Sequence, residues 1–341
     1  MVFRAVSLEP LPPFSFSATT DPYMTQSLRI GVIGVGHLGR HHARIYKTLP
    51  SVTLVGVSDT DTSRGHLVAD ECGVSYFQDL DELLSLVDAV SVAVPTSAHG
   101  VVVTTCLQRG CHVLVEKPIA SQVWEGEELV ELAKVRGTIL QVGHIERFNP
   151  IVEVMRPLVN QPGFIECHRL SPFQPRGTDV DVVRDLMIHD LDLLLSLGLG
   201  PILQVEARGM PVFTDLPDIA NVRILFESGC LANLTASRIS TGRLRKIRVY
   251  QRDRYLSVDF GGKEAVMNTR RSLENGTFEV ESQHIKGDEG DALTRELGCF
   301  IQSILGNPSA RGVSGEEGVE ALRVATQVVS LIQQHAGHSP R

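Results

Sequence analysis

The stretch from Leu28 to Asp59 limits most sharply what this chain can fold into. Leu28–Ile33 is a short, β-branched apolar run and reads as a buried strand. Gly34, Gly36 and Gly39 follow as G-x-G-x-x-G, with His37 and Leu38 at its variable positions, and His37–Leu49 has helical spacing. A second apolar strand, Thr53–Ser58, ends at Asp59, twenty positions beyond Gly39. Strand, glycines, helix, strand and acid in this register define a dinucleotide-binding unit. The first glycine allows the sharp turn, the second admits a pyrophosphate to the backbone, and the third packs helix on strand. Asp59 is placed to accept hydrogen bonds from an adenosine ribose and to repel a 2′-phosphate. That favours NAD over NADP, a preference that Arg64 softens.

The alternation continues to about Gly143. Further strands are expected at Ala89–Val94, His112–Val115 and Ile139–Val142, and helices near Ser63–Cys72, Leu80–Leu86, Ala98–Arg109 and Val123–Arg136. This pattern implies an α/β Rossmann domain with a doubly wound parallel sheet, whose ligands sit beyond the carboxyl ends of the strands. After about Phe148 the pattern changes. One helix, Val182–Leu197, precedes strand-like segments at Leu203–Gly209, Asn221–Glu227, Cys230–Ser237, Lys246–Gln251 and Arg254–Val258. Ser228-Gly229 and Arg252-Asp253 read as two-residue hairpin turns, so an α+β domain with an open, mainly antiparallel sheet is expected. Helices at Ala292–Leu305 and Gly315–His335 close the chain.

The 341 residues are enough for two cores. The expected division is a disordered extension over 1–26, a NAD-binding domain over 27–147, and a substrate-binding and oligomerisation domain over 148–341. The C-terminal helices are expected to pack back on the Rossmann domain. The extension holds Pro10, Pro12, Pro13 and Pro22 and lacks an apolar stretch after Arg4, so it does not read as a signal peptide. Met24 offers an alternative start. With 32 basic and 40 acidic residues the net charge is −8, which disfavours nucleic acid and anionic membrane as partners. The six cysteines are dispersed without a C-x-x-C pair, so no metal site or disulfide framework is indicated, and a reducing cytoplasm fits. An antiparallel sheet with helices on one face leaves the other to bury, and a homo-oligomer, dimer or tetramer, is expected.

Three constellations carry residues suited to chemistry. Glu116-Lys117-Pro118 follows a strand of the first domain, so Lys117 points into the ligand crevice. There it can polarise a carbonyl or relay a proton, although position alone fits a surface lysine equally. On the helix Val182–Leu197, Asp185, His189, Asp192 and Ser196 form one polar stripe on an otherwise apolar surface. An Asp one turn before a His orients an imidazole as a general base; the same stripe also fits a polar seam between domains. His144, Arg147 and Asn149, at the crossover between domains, can bond a polyhydroxylated substrate or brace the joint. No second His stands at ligand spacing to make Asp185–His189–Asp192 a metal site. His41 and His42 read as solvated helix surface.

Together the glycine turn, Glu116-Lys117-Pro118, Arg147-Phe148-Asn149-Pro150 and Asp185-x-x-x-His189-x-x-Asp192 resemble the glucose–fructose oxidoreductase / inositol dehydrogenase family, over about residues 28–335. The resemblance implies that Lys117 and His189 face the nicotinamide and the substrate carbon, with Asp185 a partner of both. Pro95, Thr96 and His99 occupy the family's segment against the cofactor, where Glu116 belongs too. The glycine-rich lead-in usual before the His helix is replaced by Gly177-Thr178-Asp179-Val180-Asp181. Residues 36–46, 143–150 and 185–192 are similar to a bacterial branch that includes UDP-N-acetylglucosamine 3-dehydrogenases of the lipid A precursor pathway.

The activity this implies is oxidation of a secondary hydroxyl of a sugar nucleotide at C3. His189 accepts the proton, Lys117 polarises the same oxygen, and hydride passes to NAD; the roles of His189 and Lys117 can exchange. Arg147, Arg176, Arg238, Arg243 and Arg245 are candidates to balance a diphosphate, and Asp192 and Arg238 join the substrate set. The rivals are a dehydrogenase of inositol or a free sugar, an oxidoreductase that recycles its cofactor in place, and a non-catalytic dinucleotide sensor.

Overall fold

The computed structural model describes residues 27–174 and 180–336. They divide into two compact units, 27–145 with 291–322 and 146–290 with 323–336. The first unit opens with β1 (Leu28–Ile33), α1 (His37–Tyr46), β2 (Val52–Ser58), α2 (Thr62–Cys72), β3 (Ser75–Tyr76) and α3 (Leu80–Leu84). It continues with β4 (Ala89–Val92), α4 (Thr96–Gln108), β5 (His112–Glu116), α5 (Val123–Arg136) and β6 (Leu140–Gly143). The second holds α6 (Pro150–Met155), β7 (Phe164–Leu170), a π turn (Val183–Met187) and α7 (Ile188–Leu195). Seven strands follow there: β8 (Ile202–Met210), β9 (Ile219–Phe226), β10 (Leu231–Ser237), β11 (Leu244–Gln251), β12 (Arg254–Asp259), β13 (Glu264–Ser272) and β14 (Phe278–Lys286). Helix α8 (Ala292–Ile304) returns to the first unit, and α9 (Gly315–Ala336) ends the described chain.

In the first unit all neighbouring strands are parallel, in the order β3-β2-β1-β4-β5-β6. The order reverses between β1 and β4, the switch point where a doubly wound sheet opens a ligand crevice. The central strands are mostly apolar because helices cover both faces: Ile30, Val32, Val90, Val92, Val113 and Val115 are fully buried, with Ser91 of β4 a buried polar exception. Local chemistry ends the helices. Asp61 caps α2 by accepting from Arg64 N, and Gly73 and Gly137 close α2 and α5 at φ 67° and 66°. Leu293, Leu297, Phe300 and Ile301 of α8 share one core with Ile30, Val32, Tyr46, Val57 and Leu114. Tertiary packing therefore recruits α8 into a domain that ended, in chain order, about 150 residues earlier.

The second unit is built on an eight-stranded sheet, β14-β13-β12-β11-β7-β10-β9-β8. Its pairs are antiparallel except β7 with β10. Alternate residues are buried along β9 and β10, the period-two signature of a sheet covered on one face. Arg252-Asp253 turns β11 into β12 as expected, with Gln251 opposite Arg254. Ser228-Gly229 instead sits inside a four-residue connection, with Gly229 at φ 83°.

Four strands escaped the sequence pattern: the two-residue β3 of the first unit, and β7, β13 and β14 of the second. In β7 the inward positions are Ile165, Cys167 and Arg169, and a buried arginine hides the apolar alternation. Strands β13 and β14 are polar and largely part-exposed, so they offer little alternation to read. The expected single helix Val182–Leu197 is also corrected: its first turn is a wider π turn, and α7 begins only at Ile188. The extension 1–26 lies outside the described residues. The six cysteines are free, five of them buried. Among the described residues no cluster of His, Cys, Asp and Glu is arranged to hold a metal ion, and no helix is long and apolar enough to cross a membrane.

Candidate active site

The glycine turn is shaped by close approaches that a side chain would prevent. Gly34 takes φ +80°, and a Cβ there would stand 2.7 Å from the Ala93 carbonyl oxygen. A Cβ on Gly39 would fall 1.8 Å from the Gly34 oxygen, so only glycine lets α1 rest against β1. Gly36 differs: nothing lies within 4 Å of its would-be Cβ. It is the N-cap of α1 and supplies no side-chain cap, so the first amides of the helix are free to meet an anion. A pyrophosphate fits this cradle. His37 and Leu38, in the first turn of α1, are exposed beside it.

Asp59 ends the β2 segment and gathers four donors. Its carboxylate accepts from Val35 N (2.8 Å), Asp61 N (2.8 Å), Arg64 Nε (3.0 Å) and Arg64 Nη2 (2.6 Å). Burial opposes the charge, yet Arg64 and the two backbone donors outweigh it and hold the carboxyl below the usual carboxylate range. A carboxylate has about four lone-pair sites, so ribose hydroxyls reaching Asp59 exchange with a donor already there. Arg64, its side chain 45% exposed, is the one able to move.

Pro95 is the N-cap residue of α4, and Thr96 opens the helix. His99 is buried, with Nδ1 and Nε2 at 2.8 and 3.0 Å from the carbonyl oxygens of Pro118 and Val94. Burial draws its pKa down despite both carbonyls. His99 thus ties α4 to the segment carrying Lys117, and the Lys117–Pro118 peptide is cis. Glu116 ends β5, and its carboxylate lies 3.1 Å from His42 Nε2. Burial pushes the Glu116 carboxyl up, but His42 and Lys117 hold it below its ordinary value.

His42 corrects the sequence reading. Rather than lying on solvated helix surface, it is 1% exposed, on the face of α1 formed by Gly39, His42, Ala43 and Tyr46. The i, i+3, i+4, i+7 spacing of that face was the available signal. His41 is exposed as expected, and His144 is fully buried.

In the second unit the polar residues around α7 are held in a lattice of ion pairs. Arg147 donates to both oxygens of Asp192 at 2.7 and 2.6 Å. Arg169 donates to both oxygens of Asp190 at 3.0 and 2.7 Å and to Glu146 at 2.7 Å. Asn149 donates to Glu146 and to the Phe260 carbonyl, and its own side-chain oxygen caps α6. Burial works against ionised Glu146, yet Arg169 and Asn149 keep its carboxyl below the usual range. The forks of Arg147 and Asp192 are therefore engaged with each other inside this unit, where the sequence had suggested substrate contacts or a joint between domains.

Asp181 sets up the π turn, accepting from Val183 N (3.0 Å) and Arg184 N (2.9 Å). Asp185 and His189 both lie on the segment this cap starts, and both are half-buried. π turns concentrate at functional sites because the extra residue re-aims side chains. Arg238 is also engaged. It donates to Asp218 Oδ1 (2.8 Å), Thr214 Oγ1 and the Val180 carbonyl. Of the arginines considered for a diphosphate, Arg176 lies outside the described residues, while Arg243 and Arg245 are exposed at the start of β11. Sequence reasoning had missed Arg169 and Asp218, whose partners are distant in sequence and leave no local mark, and had misread His42 despite the spacing of its helix face.

A glycine cradle for a pyrophosphate, an acid at the end of the second strand and a lysine at the end of the fifth define a dinucleotide-dependent oxidoreductase. The model for an oxidoreductase family with a NAD-binding Rossmann fold matches residues 28–144, and the GFO/IDH/MocA C-terminal domain matches residues 167–256. The chain belongs to the GFO/IDH/MocA oxidoreductase family. It is 38% identical over 317 residues to the UDP-N-acetylglucosamine 3-dehydrogenase of Acidithiobacillus ferrooxidans, covering 90% of this chain and 99% of the relative. A solved structure of that enzyme superposes with a TM-score of 0.83 at 37% identity, covering 90% of this chain and 98% of the other. The myo-inositol 2-dehydrogenase of Thermotoga maritima is 28% identical, covering 86% of this chain and 93% of the relative.

Proposed function

We propose that the protein oxidises the C3 hydroxyl of UDP-N-acetylglucosamine, with NAD as oxidant, to a 3-keto sugar nucleotide that serves lipid A precursor synthesis in the cytoplasm. The observation that carries this reading is the similarity to a UDP-N-acetylglucosamine 3-dehydrogenase along nearly the full length of both chains. The first unit binds the dinucleotide, and the second binds the sugar nucleotide and pairs copies of the chain. NAD supplies the hydride acceptor. Gly34, Gly36, Gly39 and Asp59 hold it, and Asp59 disfavours a 2′-phosphate.

Lys117 polarises the substrate hydroxyl, and His189, oriented by Asp185 one turn earlier, takes its proton. Arg243 and Arg245 are the exposed cations best suited to the diphosphate, since Arg147 and Arg238 already serve buried carboxylates.

The test is to mix the protein with NAD and UDP-N-acetylglucosamine and follow nicotinamide absorbance. An aminotransferase removes the keto product and pulls the equilibrium. Steady NADH formation is expected. Turnover of inositol or a free hexose, with none of the sugar nucleotide, would overturn the assignment.

A further inference from the structure

A thread of polar side chains runs through the interior of the first unit. His42 on α1 places Nδ1 2.7 Å from Ser91 Oγ on β4 and Nε2 3.1 Å from Glu116 Oε1 at the end of β5. His42 and Ser91 are buried, and so are Tyr46 and Glu296. The Tyr46 hydroxyl lies beside Ser91, and Glu296 of α8 acts on it electrostatically together with Glu116. An imidazole in such a place costs stability unless both nitrogens are bonded, and both are. Since a carboxylate only accepts, Nε2 carries the proton facing Glu116, while Nδ1 pairs with the Ser91 hydroxyl.

The carboxylate that His42 holds has a second contact, accepting from the backbone N–H of Lys117. Glu116 is therefore pinned on one side by the imidazole and grips the main chain of the candidate catalytic lysine on the other. We propose that His42 is a positioning residue for Lys117, acting through Glu116: the ring fixes the carboxylate, and the carboxylate fixes the backbone from which the lysine projects. The inference rests on the role given to Lys117 above.

The groups facing His42 and its partners are Ser91 from β4, Glu116 and Lys117 from β5 and its continuation, Tyr46 from α1, and Glu296 through Tyr46 from α8. The thread ends on buried groups, Tyr46 and Glu296. At the other end the Glu116 side chain is only 12% exposed, so the arrangement suits holding a geometry. Supporting groups of this kind keep a reactive side chain within the narrow limits that chemistry tolerates.

The experiment uses the full chain with His42→Leu, which removes the donor, and His42→Gln, which keeps a side-chain N–H toward Glu116. Three quantities are measured: NADH affinity by fluorescence, kcat across pH, and ionisation of the Glu116 carboxyl. The last is followed by carbon NMR of labelled glutamate, assigned by difference with Glu116→Gln. In His42→Leu, kcat falls roughly tenfold to a hundredfold while NADH affinity holds within about twofold. The Glu116 titration moves up in His42→Leu, and His42→Gln recovers most of both effects.

A wild-type kcat profile with an unmoved Glu116 titration in His42→Leu overturns the proposal. So does an equal loss of kcat in both variants with that titration unmoved. If His42→Leu fails to fold, Ser91→Ala frees the ring from its other anchor and lowers kcat with NADH affinity retained; an unchanged kcat there overturns the proposal. The two readings fail separately. A shifted Glu116 titration without sugar-nucleotide turnover removes the substrate and keeps the anchoring of Glu116, whereas turnover with an unmoved titration does the reverse.

Discussion

At Asp59, one carboxylate shows how a binding group is kept ready. Two backbone donors fix its position, and a half-exposed arginine holds its charge until ribose hydroxyls arrive. Lys117 is prepared differently, by Glu116 at its backbone and by His99, which bonds the carbonyl of the next residue. The sequence announced Gly34 and Asp59 because a turn and a strand end are local events, and it offered Lys117 only as a candidate, since its position fitted a surface lysine equally. It left Arg147, Asp192 and Arg238 ambiguous because their roles depend on partners 20 to 45 positions away. Lys117→Ala and His189→Ala should each lower kcat by about 10² to 10⁴ while NADH binding persists. Stopped-flow binding and steady-state turnover on the same preparations check this. Wild-type turnover in either variant would remove its proposed role.

Among the elements, the segment between β8 and β9 is organised by a single side chain. Buried Asp218 accepts from the backbone N–H groups of Val212, Phe213 and Thr214, from the Thr214 hydroxyl and from Arg238. Burial alone would raise its pKa, but these donors hold the carboxyl far below the ordinary value. The folded value therefore lies below the unfolded one of about 4, so the stabilisation is complete above that pH and is lost as pH falls toward the folded value. Asp218→Asn should cost about 3 kcal/mol at neutral pH. Its deficit against wild type should shrink below about pH 4. Urea unfolding at a series of pH values measures that gap; a gap constant down to pH about 3 would mean the charge contributes nothing. The π turn makes the same point for helices: Asp181 looked like loop, yet it caps the turn that leads to Asp185 and His189.

For the molecule as a whole, the first unit depends on residues that arrive last in the chain. Phe300 is fully buried in a core with Ile30 and Val57. Phe300→Ala should destabilise that unit by about 3 to 5 kcal/mol. The loss should appear as a lower midpoint when unfolding is followed by NADH release. An unchanged midpoint would show that α8 is dispensable to the dinucleotide fold. The parallel sheet was legible because each βαβ step repeats a local rule, and β1 matches its expected bounds, Leu28–Ile33. Strands β7, β13 and β14 were not, since their stability comes from neighbours rather than from their own apolar periodicity.

The dinucleotide cradle, the alternation that builds the parallel sheet, and Lys117 and His189 as candidates could all be read before any coordinates were known. Each of these is written in spacing along one or two neighbouring elements, where backbone geometry translates directly into position. Which charged groups are already committed to one another emerged from the three-dimensional arrangement. Ion pairing and burial depend on three-dimensional distance. Thus Arg147 closes on Asp192, Arg169 bridges Asp190 and Glu146, and His42 leaves the solvent to stand behind Glu116.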